Sequence, residues 1–135
     1  MDQKNYSDYI LNGLLIGFPQ FIDYYKIIDD VVKIEYPSKA GLLRLWITTQ
    51  DMELTIGLEG NEPKWDWHTH MSQFSAYEPE DELGEAIKLI KNILIDNETI
   101  AFDSTLGYYL TYNQYEEMKN KHSDEILEFK KWSEL

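Results

Sequence analysis

The side chains in this chain best suited to chemistry sit close together. Two of its four tryptophans and two of its three histidines fall within Trp65-Asp66-Trp67-His68-Thr69-His70-Met71. If that segment is extended, Asp66, His68 and His70 share one side, and Trp65, Trp67, Thr69 and Met71 share the other. A His-x-His pair on a strand points both imidazoles one way, a spacing that can present two zinc ligands, with Asp66 as a third. Glu59, Glu62 and His122 are the remaining donors to consider. Two histidines alone do not define a zinc site, which needs further ligands and a supporting shell, and the chain has no His-Glu-x-x-His. The competing reading makes the rings structural, their N–H groups satisfying buried carbonyls. Trp65 and Trp67 divide in the same way. They either fill space between helix and sheet or anchor a protein partner, since tryptophan is enriched at interface hot spots.

A second cluster is acidic: Glu78, Glu80, Asp81, Glu82 and Glu85. Carboxylates at the start of a helix are favoured by its dipole, which accounts for much of the run. The functional alternative is a binding face for a basic partner. The candidate partner-binding set is therefore Trp65, Trp67, His68, His70, Glu78, Glu80, Asp81 and Glu82. No catalytic residue stands out. There is no Gly-x-Ser-x-Gly elbow and no Gly-rich phosphate loop. The absence of cysteine excludes disulfides and thiolate chemistry. No cofactor motif is visible, and zinc enters only through the histidine alternative.

Charge narrows the class. Twenty-five acidic residues against twelve basic ones give a formal net charge of −13, and Arg44 is the single arginine. Binding to nucleic acid needs clustered Lys and Arg, and an anionic membrane surface attracts basic segments, so both are disfavoured as partners. A basic protein is compatible, because opposite fields steer association. At 135 residues, 43% of them hydrophobic, the chain is expected to form one packed domain. No signal-peptide pattern opens the sequence, and no apolar run approaches the about 20 residues of a membrane helix. A cytoplasmic location is expected.

These clusters must be positioned by the surrounding elements. Residues Ser7 to Ile16 carry helical spacing, with Ser7 as cap and Gly17 as stop. The aromatic stretch Phe18 to Tyr25 either anchors that helix or forms a first edge strand. Val31 to Tyr36, Leu42 to Thr49 and Met52 to Leu58 alternate with period two and predict a three-strand antiparallel meander, with a polar turn at Gln50-Asp51. Leu42 to Thr49 is bulky on both faces and belongs in a central position. Pro79 to Ile95 is an amphipathic helix whose buried face is Leu83, Ala86, Ile87, Ile90, Ile93 and Leu94. Glu98 to Asp103 and Gly107 to Tyr112 read as strands. Gln114 to Lys121 reads as a short solvated helix or loop, and 124–132, which has no clean apolar face for either period, as a helix or a strand, with a closing strand preferred.

Three of these features occur together elsewhere. The strand Glu53-Leu54-Thr55-Ile56-Gly57-Leu58, the segment Trp67-His68-Thr69-His70 and a helix carrying Glu85-Ala86 resemble a group of small bacterial proteins. That group shares a Glu-(Ile/Leu)-Thr-(Ile/Val)-Gly strand, an aromatic-His-x-His segment and a Glu-Ala helix, and it includes immunity proteins of bacterial polymorphic-toxin systems. The resemblance spans Leu42 to Phe102. It implies a cytoplasmic protein that binds and blocks a toxin, and it carries over no catalytic residue.

The expected fold is α+β: an antiparallel sheet of five or six strands, the 79–95 helix on one face and a short N-terminal helix beside it. The expected function is non-enzymatic binding, an immunity-type inhibitor occluding a basic toxin domain. A metal-binding protein or metal-dependent hydrolase using Asp66, His68 and His70, and a self-associating structural subunit, are the alternatives.

Overall fold

The structure, a computed structural model, describes residues 1–61, 66–103, 107–112 and 126–135. Its architecture is α+β, with two α-helices, a five-stranded antiparallel sheet and a second, three-stranded sheet. The chain divides into two compact units. One comprises Met1–Tyr36, Leu45–Gly57 and Thr69–Leu89, the other Pro37–Arg44, Leu58–His68 and Ile90–Leu135.

Helix α1 covers Gln3–Gly17. Its cap is Asp2, whose carboxylate accepts the Asn5 N–H at 2.8 Å and so satisfies one of the first turn's orphan donors. The sequence placed that cap at Ser7. Ser7 instead lies inside the helix and is buried, because its hydroxyl finds partners outside the helix. It donates to the Asp30 carbonyl at 2.5 Å and lies 2.7 Å from the Thr49 hydroxyl, which in turn accepts the Val32 N–H at 2.9 Å. Ile10 and Leu14 complete the buried stripe of α1. A 3-10 turn, Pro19–Asp23, then inserts Phe21 into the core, with the Phe18 and Phe21 ring centroids 5.2 Å apart. Both roles foreseen for the aromatic stretch are filled in succession, the anchor first and then an edge strand that begins at Tyr25.

Strands β1 (Tyr25–Ile28), β2 (Val31–Pro37), β3 (Arg44–Thr48), β4 (Thr55–Glu59) and β5 (Asp66–His70) lie side by side in chain order. β1 and β2 pair antiparallel from Tyr25 opposite Ile34 to Ile28 opposite Val31. Their two-residue turn, Asp29-Asp30, has φ of 51° and 64°, the primed geometry that matches strand twist. β3 is central, as expected, with Leu45 and Ile47 fully buried. β4 starts at Thr55 rather than Met52, because Gln50–Met52 forms a 3-10 turn with Asp51 at φ 59°. Within β4 only glycine fits at 57: a Cβ there would stand 2.2 Å from Cε2 of Trp46, whose indole lies over the backbone.

Helix α2 covers Pro79–Leu94, with Glu80, Asp81 and Glu82 in its first turn and Lys91 in its last. Ala86, Leu89, Ile90 and Ile93 are buried along it. Its beginning meets α1 at Gly13, where a Cβ would fall 2.3 Å from Leu83 Cδ2. The remaining strands, β6 (Ile100–Asp103), β7 (Gly107–Leu110) and β8 (Ile126–Lys130), form their own sheet in the order β7-β6-β8. Both pairings are antiparallel, and they occupy both edges of β6. β6 is thus the central strand of a separate sheet, and the strands form two sheets where the sequence suggested one. β8 is the expected closing strand. Residues 114–121 lie outside the described residues.

The contact at Gly57 makes a paired prediction. Gly57→Ala should lower the unfolding free energy by about 1–3 kcal/mol through overpacking. Gly84→Ala, on α2 with open space around it, should raise it by up to about 1 kcal/mol through helix propensity. Urea titrations of both variants check the pair.

Candidate functional site

Strand β5 carries the histidine pair. Asp66 and His68 are exposed, with His68 Nδ1 4.0 Å from Asp66 Oδ2, a spacing at which a surface pair contributes little. Trp67, on the opposite side, is half-buried and meets the Tyr112 ring at a centroid distance of 6.1 Å. Trp65, Glu62 and His122 lie outside the described residues.

His70 sits in a denser setting. Its Nδ1 is 2.7 Å from the Thr55 hydroxyl on β4 and 3.5 Å from Glu53 Oε1. Ser72 donates to that same carboxylate oxygen at 3.3 Å. Gln73 Oε1 accepts from the His70 backbone N–H at 3.3 Å and from the Thr69 hydroxyl. The ring thus ties the end of β5 to β4 and to the 3-10 turn Met71–Phe74. Nucleophile chemistry would need Glu53 on the ring nitrogen away from Thr55, to orient the base. Here both groups address Nδ1, so the arrangement is not that of a catalytic triad. Among the described residues no three His, Asp or Glu side chains are grouped to hold a metal ion.

The acidic run splits in two. Glu78, Glu80 and Asp81 are exposed, whereas Glu82 is 5% exposed. Tyr6 Oη donates to Glu82 Oε1 and the Leu54 N–H donates to Oε2, each at 3.0 Å. Burial pushes the Glu82 carboxyl above its ordinary range, against the pull of those two donors, and the nearby Glu53 charge adds to the rise. Burial likewise raises the Tyr6 phenol, with the Glu82 charge as second cause. Glu82 therefore holds the fold together from within and offers no surface to a partner. A signal for this existed in the sequence: Glu82 lies one helical turn before Ala86 and shares its apolar face.

Of the exposed acids, Glu80 and Asp81 border an open cleft of about 390 Å³ beside the start of α2. Phe74, Ala76, Glu80, Asp81 and Glu85 are among the residues that line it. Lys88 also lines it and pairs with Glu85 at 3.4 Å. Neighbouring Tyr77 is 74% exposed and Phe74 38%. Nothing in the spacing of Phe74 or Tyr77 singled them out. The 3-10 turn and the αL residue Ser75 that follows it bring them next to the acids. Chemically the cleft offers aromatic surface framed by carboxylates, which suits a cationic side chain.

Comparison with protein-family models, curated proteins and solved structures finds no match to this chain. No helix among the described residues is long and apolar enough to cross a membrane.

The Glu82 environment gives a pH prediction. A raised folded-state pKa means that the native chain holds a proton the unfolded chain has lost. Stability from this group is therefore highest below the ordinary carboxyl pKa of 4.5. It falls as pH rises through the window up to the folded pKa, then stays level. Glu82→Gln should remove that part of the slope. At neutral pH it should keep wild-type stability or exceed it, since its carbonyl can accept from Leu54 and its amide can donate to Tyr6. Glu82→Ala strands both donors and should cost about 2–4 kcal/mol. Equal losses in the two variants, measured by denaturant unfolding across pH, would show that the charge itself is required.

Proposed function

We propose that this protein is a cytoplasmic, non-enzymatic binding protein of the immunity type, which neutralises a basic toxin domain by covering it. The observation that carries the reading is the cleft beside α2, which Glu80, Asp81 and Glu85 line together with Phe74, with exposed Tyr77 next in sequence to its lining residue Ala76. Carboxylates around aromatic surface suit the lysines and arginines of a basic partner. The net charge of −13 supplies a long-range field that steers such a partner inward. The resemblance of Leu42–Phe102 to polymorphic-toxin immunity proteins points the same way. In this reading the long-range field sets the association rate, and the aromatic groups slow dissociation.

The test uses the product of the gene adjacent to the one encoding this chain, immobilised for binding kinetics. The association rate should fall steeply with added salt. Glu80→Lys/Asp81→Lys should slow association about tenfold or more at low ionic strength and leave unfolding nearly unchanged, because both side chains are exposed. A salt-independent association rate that the double reversal does not alter would remove this reading.

A further inference from the structure

The free edge of β1 is a different surface from the cleft. Strand β1 lies at the end of the five-stranded sheet and pairs only with β2 among the described strands. All four of its residues are exposed, with Ile27 at 50% and Ile28 at 60%. Exposed edges with apolar side chains attract further strands, and proteins ordinarily blunt them with charge, proline or a bulge. Here Lys26 is the one blunting residue.

The hydrogen-bond phase of this edge follows from the ladder. The Glu35 N–H donates to the Tyr24 carbonyl at 3.0 Å, so the pair 24/35 bonds inward. Antiparallel alternation then turns Lys26 and Ile28 towards β2 as well. Tyr25 and Ile27 occupy the non-bonded positions opposite Ile34 and Val32. Their N–H and C=O groups therefore point away from the sheet, as two donor–acceptor sets open to an incoming strand.

Charge selects the occupant. Asp23 stands before β1, Asp29 and Asp30 stand after it, and Lys26 lies in the middle. A second copy would fit badly. The register that pairs Tyr25 with Ile27 sets Lys26 against Lys26. Centring on Ile27 instead sets Tyr25 against Asp29, whose φ of 51° ends the strand. Two chains of net charge −13 also repel. An extended segment with an apolar centre and a cation at each end meets the apolar middle and both acidic ends at once. We propose that β1 accepts such a segment of a basic partner by β-strand addition, with backbone bonds to Tyr25 and Ile27.

The probe is the synthetic peptide acetyl-Lys-Arg-Val-Thr-Ile-Thr-Val-Arg-Lys-amide, followed by amide hydrogen exchange of the full chain. The Tyr25 and Ile27 amides should exchange fast in the free protein and slow when peptide is added. Lys26 and Ile28, already bonded to β2, should change little. Ile27→Pro removes an outward N–H that β2 does not use and should weaken binding about tenfold or more. Ile27→Lys, which places a like charge opposite the peptide on an exposed position, should do the same should the proline variant not fold. Slowed exchange confined to residues around Gly84 and Glu85 would assign the peptide to the cleft and overturn the proposal while leaving the binding function intact. Slowing at Tyr25 and Ile27 that depends on protein concentration without peptide would identify a second copy and overturn it, as would no change at either amide.

Discussion

A single buried carboxylate joins three parts of the N-terminal unit. Glu82 reaches inward from the first turn of α2, accepts the phenol of Tyr6 on α1, and accepts the main-chain N–H of Leu54 just before β4. Each donor would be stranded without it, and an unsatisfied buried donor costs far more than a made bond yields. The carboxylate is itself desolvated, which is why its proton is held more tightly than usual. The arrangement thus fixes the angle at which α2 enters. The carbonyl of the same Leu54 accepts the Met71 N–H at 3.0 Å, so the β5 end and the turn behind it are referred to the same point.

Around that point the unit uses buried and half-buried polar groups as locators. Ser7, Thr49 and the Asp30 carbonyl form a relay between α1, the β1–β2 turn and the end of β3. His70, Thr55, Glu53 and Ser72 form another between β5, β4 and the turn after β5. Hydroxyl groups have few low-energy arrangements once dehydrated, so the buried Ser7–Thr49 relay selects one register among several that apolar packing alone would tolerate. The histidines that attract attention as possible ligands divide by this criterion. His70 belongs to a relay, and His68 stands at the surface beside Asp66.

Function in this reading depends on how one acidic segment is divided between inside and outside. Glu80, Asp81 and Glu82 are consecutive, and the helical period sends the third inward and leaves the first two on the cleft. The inward one positions the helix whose outward acids face solvent. The β1 edge is a consequence of local backbone geometry. Two left-handed aspartates turn the hairpin sharply and leave the short strand at the sheet's end with its apolar side chains in solvent.

Local patterning suffices for the elements whose periods are strong. The alternation of Val32, Ile34, Leu45 and Ile47 and the three-four spacing of Ala86, Ile90 and Ile93 each encode a buried face locally, and those residues are buried. The side-sharing of Asp66, His68 and His70 followed from strand pleating alone. Other features depend on partners distant in sequence and emerge only on folding. Ser7 reads as a cap until Asp30 and Thr49 supply bonds that hold it inside the helix. Glu82 reads as one dipole-favoured acid among several until Tyr6 and Leu54 close over it. Two adjacent aspartates are only a weak hairpin signal, because aspartate tolerates the left-handed region without requiring it. The division into two sheets rests on which strands pair, β6 with β7 and β8 rather than with any of β1 to β5. Periodicity reports which face of an element is apolar. Hydrogen bonds and edge pairings between distant segments determine what that face meets, and a local pattern carries no record of them.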